Sequence, residues 1–186
     1  MSFLGRLFGR SSRRGSLGVP SDWQTIGTIT PRLDTIYLGD ASLFPDDLRA
    51  FPAPTQPLSV QVRRLDFAGE VRVSALRLIT ADSITVGDSV GTVSSDCASI
   101  CATSLPCSLD QFREALHLHP LSDRDMEYHC DEDAGVATLS SDPPAEVFYC
   151  ATGFGDGSFA VHSLLSGGSL AGYQVTFIRD DEPYSL

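Results

Sequence analysis

The sequence predicts a mainly β fold, either an antiparallel sandwich or a partly open barrel, with one clear α-helix over residues 108–118. From Trp23 onward, apolar residues alternate with polar ones or form short runs, as strands require. Gly, Pro and Asp break these runs at short intervals. Apolar residues make up 42% of 186 residues, which suits one globular domain and is too much for a wholly disordered chain.

The first 20 residues differ in composition from the single β domain predicted over residues 21–186. Four of the arginines fall within residues 1–14, and the apolar side chains there share one helical face. This segment is predicted to be a flexible tail or a short helix docked on the acidic domain. The alternative is a weak contact of residues 1–14 with a membrane surface or a partner. Residues 15–20 are typical of a flexible joint.

Ten segments have the periodicity of strands: 24–30, 35–38, 58–66, 70–80, 83–86, 90–94, 134–139, 147–152, 158–165 and 173–179. Phe67 to Gly69 predicts a tight connection between two antiparallel strands. Four prolines between Pro45 and Pro57 exclude a helix or a central strand, so a surface loop is expected there. In the predicted helix, Ser108 and Gln111 form a capping box, and Leu109, Phe112, Ala115 and Leu116 recur at helical spacing.

Charge restricts the classes of partner. The chain has 13 basic side chains, all arginine, and a net charge of −11. Residues 15–186 contain 9 arginines and 24 acidic residues, which gives a formal charge of −15. Such a domain repels nucleic acid and favours a basic protein partner. The absence of lysine excludes a lysine Schiff base and a P-loop lysine.

An acidic run near residues 123–133 is the candidate partner-binding surface. Apolar anchors stand within it, as docking surfaces often have. The alternative is a solvated loop. The candidate residues are Asp123, Asp125, Met126, Glu127, Tyr128, Asp131, Glu132 and Asp133.

The cysteines suggest no cofactor. Cys97, Cys101, Cys107, Cys130 and Cys150 are odd in number, and only the first pair has zinc-like spacing. We therefore predict free, mostly buried thiols and no metal. A nucleophile formed by Cys97 or Cys101 with His117, His119 or His129 has no local signature, so no catalytic residue is predicted. The start of the chain lacks an apolar leader core, and the apolar runs are too short to cross a bilayer, which predicts a cytoplasmic protein.

The loop Gly153-Phe154-Gly155-Asp156-Gly157 lies between two predicted strands. Asp156-Gly157 predicts a hairpin turn that includes Gly153 and Gly155, and Gly167-Gly168 predicts a second turn. Residues 146–179 would then be a three-stranded meander. The alternative is a loop that binds a small ligand or an enzyme site that uses Asp156 or a cysteine. A dinucleotide site is disfavoured, because the next segment alternates like a strand and does not open a helix.

The run Gly153–Val161 resembles the C-terminal signature of an uncharacterised bacterial family, Gly-aromatic-Gly-Asp-Gly-x-aromatic-x-Val, and Tyr173–Ile178 resembles its last strand. Residues 29–40, 60–78 and 93–99 resemble its N-terminal and central parts more loosely. Phe154 and Phe159 stand where Trp and Tyr are usual, and Ala160 where Pro is usual. The resemblance implies no catalytic residues. Some members resemble toxin-immunity proteins, which implies a non-catalytic cytosolic inhibitor of a basic bacterial toxin.

Overall fold

A computed structural model describes residues 17–41, 48–96, 98–105, 133–139 and 144–184. These residues form two antiparallel sheets, so the mainly β prediction is confirmed. The predicted helix over 108–118 lies outside the described residues. Within the ranges just given, the chain has no helix with the length and apolarity that a membrane crossing requires.

The strands follow each other along the chain as β1 (Val19–Pro20), β2 (Gln24–Ile29), β3 (Thr35–Asp40), β4 (Arg49–Pro52), β5 (Leu58–Phe67), β6 (Glu70–Ile79), β7 (Thr85–Ser95), β8 (Ser99–Thr103), β9 (Ala134–Leu139), β10 (Ala145–Ala151), β11 (Gly157–Ser166) and β12 (Ser169–Thr176). The larger sheet has the order β1-β5-β6-β12-β11-β7, and β2 also pairs with β5. The smaller sheet has the order β4-β3-β8-β10-β9. Described strands close neither sheet into a barrel.

The two sheets pack face to face around one apolar core. The larger sheet contributes Leu58, Val60 and Val62, alternate residues of β5. The smaller sheet contributes Ile36, Ile100 and Phe148. This alternation is the period of two that the sequence predicted. Polar residues between the core positions, such as Gln61, therefore lie on the outer face of the larger sheet.

Two tight hairpins organise the larger sheet, and both were predicted. Ala68 and Gly69 join β5 to β6 with φ of 59° and 105°. Gly167 and Gly168 join β11 to β12 with φ of 58° and 84°. Positive φ at both central residues is the type I′ geometry that matches the twist of paired strands.

The predicted meander over residues 146–179 is wrong in its first strand. β10 pairs with β8 and β9 in the smaller sheet, whereas β11 pairs with β12 and β7 in the larger one. The loop 153–157 therefore crosses between the sheets. Positive φ occurs at Gly153 and Gly155, and not at the Asp156-Gly157 pair that a type I′ turn would need.

Four smaller differences concern the other strands. The proline-rich segment contains β4, a short strand at the edge of its sheet, where proline is tolerated. β8 was not predicted. The segments 83–86 and 90–94 belong to the single bulged strand β7. Val19 and Pro20, inside the predicted N-terminal segment, form β1 and pair with β5.

A second, smaller apolar cluster lies on the outer face of the larger sheet. Leu65, Phe67 and Ile178 are buried there. The ring of Phe154, from the loop 153–157, lies 5.5 Å from that of Phe67 and 4.9 Å from that of Tyr184. The loop between the sheets and the C-terminal segment are thereby packed onto the end of β5.

Candidate functional site

A row of polar side chains crosses the outer face of the larger sheet. Each member is the cross-strand partner of the next, so the row is fixed by the register of six strands. Neighbouring strands are about 4.8 Å apart, which makes the row an elongated strip of hydrogen-bonding groups. We call it the polar row, and its members are Thr25, Gln61, Arg77, Gln174, His162 and Ser89.

Arg77, the third of the six members of the polar row, is held in place by its neighbours. Its guanidinium carbon lies 4.0 Å from the ring centroid of Trp23, a cation–π contact. Its Nε donates a hydrogen bond of 2.7 Å to Oε1 of Gln61, and Gln61 in turn donates from Nε2 to Oγ1 of Thr25. Burial lowers the pKa of the Arg77 guanidinium, Asp82 raises it and the neighbouring Arg63 lowers it.

The other three arginines of β5 and β6 all have a carboxylate partner. Arg63 pairs with Asp180 at 2.7 Å, Arg64 with Asp133 at 2.5 Å, and Arg72 with Glu70. Arg77 differs from them, because its partners among the described residues are an amide and an indole ring.

Asp133 is the one predicted partner-binding residue that the structure describes. It accepts hydrogen bonds from Nε and Nη2 of Arg64 at 2.6 and 2.5 Å, and Nη1 of Arg64 donates to Gln24 at 2.6 Å. Asp133 therefore serves an internal ion pair. The remaining predicted residues, Asp123, Asp125, Met126, Glu127, Tyr128, Asp131 and Glu132, lie outside the described residues.

The two described cysteines are core residues. Cys101 and Cys150 are fully buried. Burial raises the pKa of the Cys150 thiol, Asp133 raises it further and Arg64 lowers it. A thiol held in its neutral form is a poor nucleophile and a poor metal ligand. This fits the predicted buried free thiols; Cys97, Cys107 and Cys130 lie outside the described residues.

No group of three or more His, Cys, Asp or Glu side chains in the described part of the chain could hold a metal ion. His162 is the described histidine; its Nδ1 lies 3.3 Å from the carbonyl oxygen of Gly87. His117, His119 and His129, named above as alternative bases, lie outside the described ranges.

The loop 153–157, which crosses from β10 to β11, lies against another crossing between the sheets, the connection from β7 to β8. The amide of Thr152 donates to the carbonyl of Ala98 at 2.9 Å, and the amide of Ala98 donates to Oδ1 of Asp156 at 2.9 Å. The hydroxyl of Thr152 donates to the carbonyl of Gly155. A side chain at Gly153 would meet Ile178 at 2.6 Å. These contacts join the two crossings, and they give Asp156 a backbone partner.

Exposed acidic side chains lie on or beside β7, an edge strand of the larger sheet. Asp82, Asp88 and Asp96 are exposed on β7 or beside it, and Asp156 is exposed next to them. The strands from β7 to β12 contain no arginine. We call these four residues the acidic edge. Two exposed apolar side chains of β7, Val86 at 53% and Val90 at 50%, lie among them.

The surface of the described residues has two clefts among its larger ones. One has a volume of about 380 Å³ and a mostly polar lining that includes Thr28, Arg32 and Glu146. The other, of about 260 Å³, lies on the outer face beside the polar row, and Gln174, Thr176, Arg63 and Asp180 line it. The loop 153–157 lines neither cleft.

Comparisons with family models, with curated proteins and with solved structures find no match to this chain. The resemblance to a bacterial family of immunity-like proteins therefore stays a prediction.

Sequence reasoning missed the polar row. Alternation along β5 indicates that Gln61 has a solvent-facing side chain, and the single tryptophan is a visible signal. The alignment of Gln61 with Arg77, Gln174 and His162, however, depends on β12 lying between β6 and β11. That order brings together residues about a hundred positions apart and leaves no local pattern.

Proposed function

We propose that this protein is a non-catalytic binding protein of the bacterial cytoplasm that binds a basic protein through its acidic surface, in the manner of an immunity-type inhibitor of a basic toxin. The observation that carries the proposal is the separation of charge. Three acids of the acidic edge, Asp88, Asp96 and Asp156, stand on or beside strands without arginine. Asp82, in the β6–β7 connection, acts electrostatically on Arg77, and the other three arginines of β5 and β6 are neutralised by carboxylates.

The acidic edge supports docking of a basic surface for two reasons. Exposed carboxylates of one sign steer a basic partner and raise its association rate. Val86, between Asp82 and Asp88 in sequence, and Val90, just after Asp88, add exposed apolar area. Apolar contact provides the part of the affinity that salt does not screen. The acidic run over residues 123–132 adds charge of the same sign to the chain.

The alternative, a small-ligand site or an enzyme site in the loop 153–157, has less support. Asp156 accepts a hydrogen bond from the amide of Ala98, and Gly153 is packed against Ile178. Cys101 and Cys150 are both inaccessible in the core. These contacts give the loop and both thiols a structural role.

The test is co-purification with basic toxins encoded beside the gene, followed by measurement of association rates. We expect a complex whose association rate falls as salt rises. Neutralising the acidic edge with Asp82→Asn and Asp88→Asn should lower that rate about tenfold and weaken its salt dependence. The matched control is Asp181→Asn with Glu182→Gln, which removes the same charge from the C-terminal segment and should change the rate little.

The proposal fails if none of these toxins binds and deletion of the gene leaves the cell no more sensitive to them. Equal effects of the two double variants would mean that net charge matters and the acidic edge does not. A shortened chain without residues 1–18 separately tests the alternative N-terminal contact, by its release from membranes or from the partner.

A further inference from the structure

We infer that Arg77, clamped between Trp23 and Gln61 in the polar row, is a binding site for the carboxylate of a small organic acid. The inference does not depend on the toxin-inhibitor proposal, although Asp82 of the acidic edge acts electrostatically on Arg77. Three observations carry it: the orientation of the guanidinium, the absence of an ion-paired carboxylate on it among the described residues, and the cleft that its cross-strand partner Gln174 lines.

The guanidinium of Arg77 is oriented in advance of any ligand. Stacking on Trp23 and the hydrogen bond from Nε to Gln61 fix its plane. Both terminal nitrogens, Nη1 and Nη2, have no hydrogen-bond acceptor among the described residues. A planar fork of N–H donors held in this way matches the two oxygens of a carboxylate, and a fixed donor loses little entropy when a ligand binds.

The lack of a carboxylate at Arg77 contrasts with its neighbours. Arg63, Arg64 and Arg72 each have one, in a chain with 24 acidic side chains. Arg77 is partly withdrawn from water and lies near a second guanidinium, that of Arg63. Asp82 acts on this cation electrostatically but forms no ion pair with it, which leaves the terminal N–H groups of Arg77 to a carboxylate from outside the chain.

The neighbourhood selects the class of anion. The polar row continues from Arg77 to Gln174, which also lines the cleft of about 260 Å³. Its hydroxyl and amide groups suit a ligand whose body carries hydroxyls, and its volume suits a small molecule. Asp180 and Asp181 line the same cleft and would repel a dianion such as phosphate more than a singly charged carboxylate.

The experiment is a titration of the full protein, labelled with ¹⁵N-arginine, at constant ionic strength. The probes are D-glucuronate, acetate and inorganic phosphate, and the signal is the Nε–Hε resonance of Arg77. We expect a saturable shift with glucuronate, with a dissociation constant at least about tenfold lower than that of phosphate. Polygalacturonate distinguishes a polysaccharide ligand from a free acid. If it saturates the site at a lower concentration of uronate units than free glucuronate does, the ligand is a polysaccharide; if both saturate at the same concentration, the ligand is a free acid.

Variants locate the site. Arg77→Lys keeps the charge but not the planar fork, and should weaken glucuronate binding about tenfold; Arg77→Gln should abolish it. Arg72→Gln, on the same strand, is the matched control and should bind like the wild type. Gln174→Ala leaves the clamp intact, so weaker binding by this variant supports the site even if the Arg77 variants fold poorly.

Two results would overturn the inference. One is unchanged glucuronate binding by Arg77→Gln at a normal melting temperature. The other is a non-saturable shift of the same size at Arg72 and Arg179, which would mean general ionic screening. Tighter binding of phosphate than of glucuronate would contradict the assignment to a carboxylate.

Discussion

Arg64 and Asp133 form a two-point ion pair that joins the larger sheet to the start of β9. Nε and Nη2 of Arg64 lie 2.6 and 2.5 Å from the two carboxylate oxygens of Asp133. The side chains are 20% and 34% exposed, so water screens the pair only in part. The last acid of the acidic run is therefore engaged by the fold.

Asp133→Ala should destabilise the protein, because it leaves the Arg64 charge without a partner. We expect a loss of about 2 kcal/mol in the free energy of unfolding, less than for a fully buried pair. Urea denaturation measures it. The double variant Arg64→Met with Asp133→Ala should recover part of the loss, because it removes the unpaired charge. Full stability of Asp133→Ala would show that the pair contributes nothing.

Sequence reasoning succeeded where structure is local. The β5–β6 connection was predicted because Phe67 to Gly69 lies between two alternating segments, and local backbone preference decides such turns. The β9 segment was predicted with its observed bounds. Gly167-Gly168 likewise joins two strands that are adjacent in sequence and in the sheet.

Sequence reasoning failed to predict which of the two sheets a strand joins. β10 and β11 are consecutive and both strand-like, yet they lie in different sheets. Glycine is needed equally in a hairpin turn and in a crossing, so Gly153 and Gly155 could not distinguish the two. The apolar sequence of β10 fits a strand buried on both faces, and this was the sequence signal for its place in the smaller sheet. The polar row could not be predicted for the same reason, because it depends on the order of strands in the larger sheet.

Asp156 tests whether the loop 153–157 is structural. Its carboxylate accepts the amide hydrogen of Ala98 and so joins the two crossings. Asp156→Ala should lower the free energy of unfolding by about 1 kcal/mol, and Asp156→Asn, which keeps an acceptor oxygen, should lower it less. Thermal and urea unfolding measure both. A variant of unchanged stability that has lost a binding activity would instead favour the ligand-loop alternative.

Ala68 and Gly69 should respond to exchange of Ala and Gly in opposite directions. Ala68 is exposed and has a φ of 59°, a conformation that costs a residue with a Cβ about 1 kcal/mol. Ala68→Gly should raise the free energy of unfolding by up to about 1 kcal/mol, reduced by the greater freedom of glycine in the unfolded chain. Gly69→Ala should lower it, because φ there is 105° although the surrounding space is open. Changes of the same sign would contradict the type I′ assignment.

Gly172 should tolerate no side chain. Its φ is 149°, and a Cβ there would lie 1.7 Å from the carbonyl oxygen of Leu78 on the neighbouring strand. Gly172→Ala should therefore cost at least about 3 kcal/mol, since strand backbones must separate to relieve the clash. The control is Gly168→Ala, where φ is positive and no atom lies within 4 Å; it should cost about 1 kcal/mol. Similar losses of stability in both variants would mean that the cost comes from the positive φ and not from the clash with Leu78.

Cys150 should make stability fall at alkaline pH. Burial, with Asp133, raises the pKa of its thiol in the folded protein. In the unfolded chain the pKa of a cysteine thiol is about 8.5. Above that pH the unfolded state loses the proton and the folded state keeps it. Stability is then complete below about pH 8.5 and falls by up to about 1.4 kcal/mol per pH unit above it. Urea unfolding between pH 7 and pH 10 measures this slope. Cys150→Ala should flatten the slope by that amount whatever its effect at pH 7, and parallel curves for the two proteins would show that the buried thiol ionises as readily as a free one.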